Sequence, residues 1–214
     1  MSSDLIRRTV TACMALAAVA ALSLGTWSCA QTQRSSVTQS SAGSAASAAP
    51  AASAVQFLGT HYPAQGHVHL PPGTTDTFKY DSNPATSGPH RELFTTQFVS
   101  PNTLPVYIQV HLLEHGNVLV QYNCSCQELA AQLADIAGEF DNRLYPPSEL
   151  QPTAADVQNA EEQGLAVIVA PYSNMKSKVA LTAWTRLATL DSVDKAKIIA
   201  FINAWLNNQA NLNQ

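Results

Sequence analysis

Six histidines are the residues of this chain best suited to chemistry, and all of them, His61, His67, His69, His90, His111 and His115, precede Gly116. Neutral imidazole is the commonest side-chain ligand for zinc and copper, and a neighbouring carboxylate can complete the shell or fix a ring through its second nitrogen. The segment His111-Leu112-Leu113-Glu114-His115-Gly116 sets two imidazoles four residues apart around one carboxylate. If it forms a helical turn, both rings share a face about 5 to 6 Å apart, and one metal accepts both. A structural reading is equally open, in which the rings bond loop carbonyls and Glu114 pairs with a base. His-x-x-Glu-His is also the order of inverted zinc peptidases, with Glu114 as general base toward metal-bound water. Those enzymes hold the motif in a long helix. Here Gly116 follows at once and a strand-like run begins at Val118, so metal-dependent hydrolysis is the secondary expectation.

Three further groups carry chemistry. His67-Val68-His69 would point two rings to one side of an extended chain, although two exposed loop histidines would read the same way. His90 follows Thr86-Ser87-Gly88-Pro89, a turn sequence that would fix the direction of its ring. Cys124-Ser125-Cys126 suits a soft ion such as copper(I), or outside the cytoplasm a disulfide between the two. Both fates stay open.

The elements that must position these groups are unevenly legible. Residues 56–103 are dense in Pro, Gly, Asn, Ser and Thr and read as ordered loop, with a short strand around Phe78 to Tyr80. Val106 to Val110 and Val118 to Tyr122 are β-branched and aromatic runs that predict two strands flanking His111 to Asn117. Cys126 to Arg143 carries a helical stripe at Leu129, Leu133, Ile136, Ala137 and Phe140. Thr153 to Gln163 predicts a second helix, Leu165 to Ala170 a buried strand, and Val179 to Trp184 another. Asp191 to Asn207 closes the chain as an amphipathic helix with its stripe at Val193, Ile198, Phe201, Ile202 and Trp205. The expected class is α+β: a single domain over 56–214 with a small, mostly antiparallel sheet, a loop-rich N-terminal part and two or three packed helices.

The chain also begins like an exported protein. Arg7 and Arg8, an apolar run from Val10 to Leu24 and small residues at Ser28 to Ala30 make a signal peptide over 1–30. The run is shorter than the roughly 20 apolar residues of a membrane span. Cleavage after Ala30 competes with lipidation of Cys29, the second tethering the domain to a membrane. The Ser- and Ala-rich stretch 31–55 fits a disordered linker. Of 15 acidic and 11 basic side chains, Asp4, Arg7 and Arg8 fall in the leader, leaving 14 and 9 without a basic cluster. Nucleic acid is thereby excluded as a partner.

The motifs resemble a known family. Gln65 to Gly73, Tyr80 to His90 and His111 to Gly116, then Val167 to Pro171 and Ala180 to Trp184, are similar to an uncharacterised family of exported bacterial proteins, domain of unknown function 3105. The resemblance implies that His69, His90, His111, Glu114 and His115 belong to the family pattern. His61, His67, Cys124 and Cys126 lie outside it, and Ala85 replaces a usual proline. Joined to the chemistry above, it sets the main expectation: His69, His90, His111 and His115 converge on one copper or zinc ion, with Glu114 as ligand or supporting group. The corresponding function is metal capture, transfer or tolerance at the cell envelope, periplasmic or on the outer surface. A structural or adhesive envelope module is the reading without metal.

Overall fold

The computed structural model describes residues 57–74, 77–146 and 151–213. The signal peptide, the linker and Cys29 lie outside the described residues, which belong to the unit formed by residues 49–214.

Strand β2, Val118–Tyr122, is buried on both faces, with Gln121 its one fully buried polar side chain, and lies inside the sheet. It pairs in parallel with β3, Val167–Pro171, and antiparallel with β4, Val179–Ala183. Strand β5, Arg186–Leu190, extends the sheet antiparallel to β4, and the two-residue β1, Thr60–His61, pairs with β5. The order is β1-β5-β4-β2-β3, a mixed sheet where a mostly antiparallel one was expected. The single parallel pair follows from the helical crossover between β2 and β3, since a parallel neighbour cannot be reached by a tight turn.

The crossover is made by α2, Gln127–Leu144, and α3, Ala154–Glu162. Helix α2 buries Leu133, Ile136, Ala137 and Phe140 of the expected stripe. They meet Ile198, Phe201 and Ile202 of α4, Lys195–Trp205, and the Val118, Val120, Val167 and Val169 face of the sheet. Thr153 and Asp156 form a capping box that starts α3. Leu119, Ile168 and Ala170 point to the opposite face, against Val110, Leu112 and Leu113. A short α5, Gln209–Leu212, follows α4.

Val106–Val110, expected as a strand, is instead the first part of helix α1, Val106–Glu114. Two features outweigh the β-branched side chains. Pro105 precedes the helix and its carbonyl accepts from Ile108 and Gln109 N–H at 2.9 and 3.1 Å. Gly116, at φ 101°, then stops it: Gly116 N–H donates to Leu113 O and Asn117 N–H to Leu112 O, a Schellman ending. Between them the helix buries Gln109, Val110, His111, Leu112 and Leu113. Gln109 accepts from Gln121 Nε2 of β2 at 2.9 Å, which satisfies a buried amide only this packing brings within reach. Phe78 to Tyr80 forms no strand; the Phe78 and Tyr80 rings pack edge to face with centroids 5.0 Å apart.

Candidate metal centre

Two loop segments and the last turn of α1 build the site. Segment 66–70 runs parallel to 88–90: Gly88 N–H donates to Gly66 O, His90 N–H to Val68 O, and Leu70 N–H to His90 O at 2.6 to 3.0 Å. His69 and His90 therefore form a bridged pair, their rings 4.8 Å apart between centroids. The turn before His90 is held by Ser87 Oγ, which accepts from Gln65 N–H, and by Tyr80, whose hydroxyl donates to Pro89 O. Gly88 takes φ 117°, and a Cβ there would meet the Phe78 and Tyr80 rings at 3.0 to 3.1 Å. Helix spacing supplies the rest, because His111 and Glu114 are three residues apart on the face turned toward this pair.

One ligand atom from each of His69, His90, His111 and Glu114 lies within 4.8 Å of the others. His90 and His111 are buried, and the Glu114 and His69 side chains are 24% and 42% exposed. The hydrogen bonds place a proton on Nδ1 of two rings. His90 Nδ1 lies 2.8 Å from Gly88 O, a carbonyl that can only accept, so the ring proton sits on Nδ1. His69 Nδ1 likewise donates to the Glu92 carboxylate at 2.7 Å. Both Nε2 atoms face Glu114 Oε2, at 3.1 Å from His69 and 2.9 Å from His90, where a second ring proton would donate to the carboxylate and a neutral ring would present a lone pair. Lone pairs turned on a carboxylate oxygen repel unless a cation, a proton or a metal ion, lies among them.

His111 is the sharpest feature. It is 2% exposed, and neither ring nitrogen has a hydrogen-bond partner. Nδ1 is 3.8 Å from Glu114 Oε2, and the ring is wedged by Phe94, His90 and His115 with centroids 4.7 to 5.3 Å away. Burial first, and then the neighbouring His115 and His90, push its pKa down to about 4, with Glu114 only partly opposing. The ring is therefore neutral, the form that binds metal. Burial acts to raise the Glu114 pKa, but hydrogen bonding from His69 and the charge and hydrogen bond of His90 outweigh it and hold the carboxyl below its usual range.

Ligand atoms around a tetrahedral zinc ion stand roughly 3.3 to 3.4 Å apart, given bonds of about 2.0 to 2.1 Å. The contacts at 2.9 and 3.1 Å are slightly tighter than this and the 3.8 Å contact slightly wider. An ion would have to spread the first two by a few tenths of an ångström and draw in the wider separations of the group, which reach 4.8 Å.

His115 was expected among the ligands, but the structure sets it beside the group rather than in it. It is the C-cap of α1, and Nδ1 donates to Glu162 O at 2.9 Å. Its ring packs on His111 and on Phe94. The peptidase arrangement, with both histidines ligating and the glutamate above a water, is not the one formed: Glu114 lies among the ligand atoms. His67, expected to stand apart, reaches Glu114 from the solvent side, Nδ1 to Oε1 4.0 Å. His61 stays remote in β1, opposite Arg186. Glu92 leaves one signal in the sequence, its place two residues after His90. Cys124 and Cys126 are joined in a disulfide, so the copper(I) reading of this pair does not describe the protein in this state.

Two further acids are buried in the domain. Glu161 accepts from Thr95 N–H at 2.8 Å and from the Thr95 hydroxyl, which anchors the loop that carries Phe94. Asp141 accepts from Val167 N–H at 3.0 Å. Burial pushes each carboxyl up to about 7, with Glu161 adding to the rise at Asp141.

A family model described as Protein of unknown function (DUF3105) matches residues 73–214. It covers His90, His111 and Glu114 and begins four residues after His69. No curated protein and no solved structure matches the chain.

Proposed function

Because the chain belongs to the DUF3105 family of proteins of unknown function, its role must be argued from its own side chains, and we propose that it binds a transition-metal ion, copper or zinc, through His69, His90, His111 and Glu114. One observation carries this reading: a buried His111 imidazole with both nitrogens unpartnered, gathered with two further imidazoles and a carboxylate. Leaving such a group unsatisfied costs on the order of 1–3 kcal/mol, and a bound cation removes that cost. The supporting groups agree, since metal-ligating histidines characteristically donate their second nitrogen to a carboxylate or backbone carbonyl, as His69 does to Glu92 and His90 to Gly88.

Three imidazoles and one carboxylate suit copper or zinc rather than magnesium or calcium, and the Irving–Williams order favours copper where both are free. The leader at 1–30 and the tail at 31–55 support export, with Cys29 as a lipid anchor. The domain would then meet these ions directly at the cell envelope, in capture, transfer or tolerance. Equilibrium titration of the purified protein with copper(II) and zinc against a competing chelator tests the reading. Wild type is expected to bind one ion per chain, with His90→Ala and His111→Ala at least about a hundredfold weaker. Equally poor binding by all three would overturn it.

A further inference from the structure

The Cys124–Cys126 disulfide stands at the other end of β2 from the metal group, in the turn between β2 and α2. It encloses a single residue. Cross-links stabilise a fold mainly by removing freedom from the unfolded chain, and the effect grows with the loop closed; closing one residue removes very little. Nor is the bond sheltered: Ser125 and Cys126 are exposed and Cys124 half-buried. A disulfide that holds little together and faces solvent is placed to react.

Its setting makes the two sulfurs unequal. Cys126 is the N-cap of the 18-residue helix α2, yet its side chain makes no capping hydrogen bond. The first-turn N–H groups of α2 thus lack a side-chain acceptor from that position, and a thiolate there would be stabilised by them and by the helix dipole. Lys178 lines a hollow of about 380 Å³ beside Cys126, together with Leu129, Gln132 and Val193. Glu128 lines it too and opposes a thiolate. Asn123 N–H, donating to Lys178 O at 2.9 Å, ties the turn to this wall.

We infer that Cys124–Cys126 is a thiol–disulfide exchange site that oxidises a protein dithiol. The partner thiolate attacks Cys124 Sγ and the Cys124–Cys126 bond breaks. Cys126 leaves as the thiolate at the helix N-terminus. The partner's second thiolate then attacks its own sulfur in the mixed disulfide and expels Cys124, which takes up a proton. The partner loses two electrons to its new disulfide and this chain gains them as two reduced cysteines. The hollow beside Cys126 gives the partner's backbone a seat of mixed polarity. The site acts independently of metal binding.

The test uses the full-length oxidised protein in glutathione redox buffers, with each cysteine scored by differential alkylation and peptide mass spectrometry, which separates this pair from Cys13 and Cys29. The expected result is equilibration of the pair in the folded protein within minutes, with Tm changed by less than about 3 °C between the two states. Once reduced, Cys126 should alkylate at pH 7 about tenfold faster than Cys124. A pair that resists glutathione until the protein unfolds, a larger fall in Tm on reduction, or equal reactivity of the two thiols would each overturn the proposal.

Discussion

Replacing His111 by leucine should have opposite effects on the metal-free and metal-loaded protein. The imidazole is 2% exposed with both nitrogens unpartnered, so the metal-free fold bears an unsatisfied polar group on the order of 1–3 kcal/mol. Leucine is apolar and similar in volume, and reshaping the contacts with Phe94 and His115 should cost less than about 1.5 kcal/mol. The variant is therefore expected to be as stable as wild type in chelator or more so, by about 1 kcal/mol, raising Tm by roughly 2–4 °C in a domain of this size. With metal the order reverses. An ion held at a hundred times its Kd stabilises wild type by about 2.7 kcal/mol, and the variant should lose most of that. Thermal unfolding of both proteins, in chelator and in a defined excess of zinc, reads all four values. If His111→Leu destabilised the metal-free protein by more than about 2 kcal/mol, the ring would have a partner in solution that the structure does not contain. If zinc still stabilised the variant fully, His111 would not be a ligand.

Glu92→Gln should weaken metal binding about tenfold by loosening the His69 ring, whereas His67→Ala, at the solvent edge, should change affinity by less than about threefold; competition titrations rank the two. His115→Ala should leave affinity within about threefold of wild type, and a loss as large as that of His90→Ala would restore His115 to the ligand set. Metal affinity should fall from pH 7 to pH 5 as protons compete for the imidazoles, measured by the same titration across buffers. Asp141→Asn should alter the pH profile of stability. A carboxyl raised to about 7 in the fold, from 3.8, binds more protons folded than unfolded between those values, so its contribution is greatest below pH 4 and is lost as pH rises through 7. Denaturant unfolding in chelator should therefore show wild type losing on the order of 4 kcal/mol relative to the variant from pH 4 to pH 8, and parallel profiles would contradict the assignment.

Among the helices, the legible ones are those with one solvated face. Helices α2 and α4 announce themselves through apolar stripes because their other sides meet water. Helix α1 does not, since five consecutive residues from Gln109 to Leu113 are buried, and a run buried all round loses the period that separates helix from strand. Its end signals, Pro105 and Gly116, carried the information instead. Strand β5 is not legible in the sequence, because it turns back from β4 through Trp184 and Thr185 without a glycine. Thr185 takes φ 59°, held by its N–H to Thr86 O and by Tyr62 N–H to its own carbonyl. At the site, the types of residue were readable while their grouping was only partly so. His111 and Glu114 follow from helical spacing. The pairing of His69 with His90 depends on two loops meeting, and the exclusion of His115 depends on the Glu162 carbonyl, neither of which leaves a mark on local sequence.

The pairing of segments 66–70 and 88–90 bears on how this chain can vary. Neighbouring strands stand about 4.7–4.9 Å apart, and the His69 and His90 rings are separated by 4.8 Å, so the spacing of two ligands is set by main-chain register rather than by side-chain reach. A single inserted or deleted residue inside either paired segment would turn one ring to the opposite side. The stretch that joins the segments is under no such constraint, because lengthening a loop adds little closure entropy. Length differences among relatives should therefore collect between the two histidines, and homologues that break the register within the pairs should not bind the proposed ion.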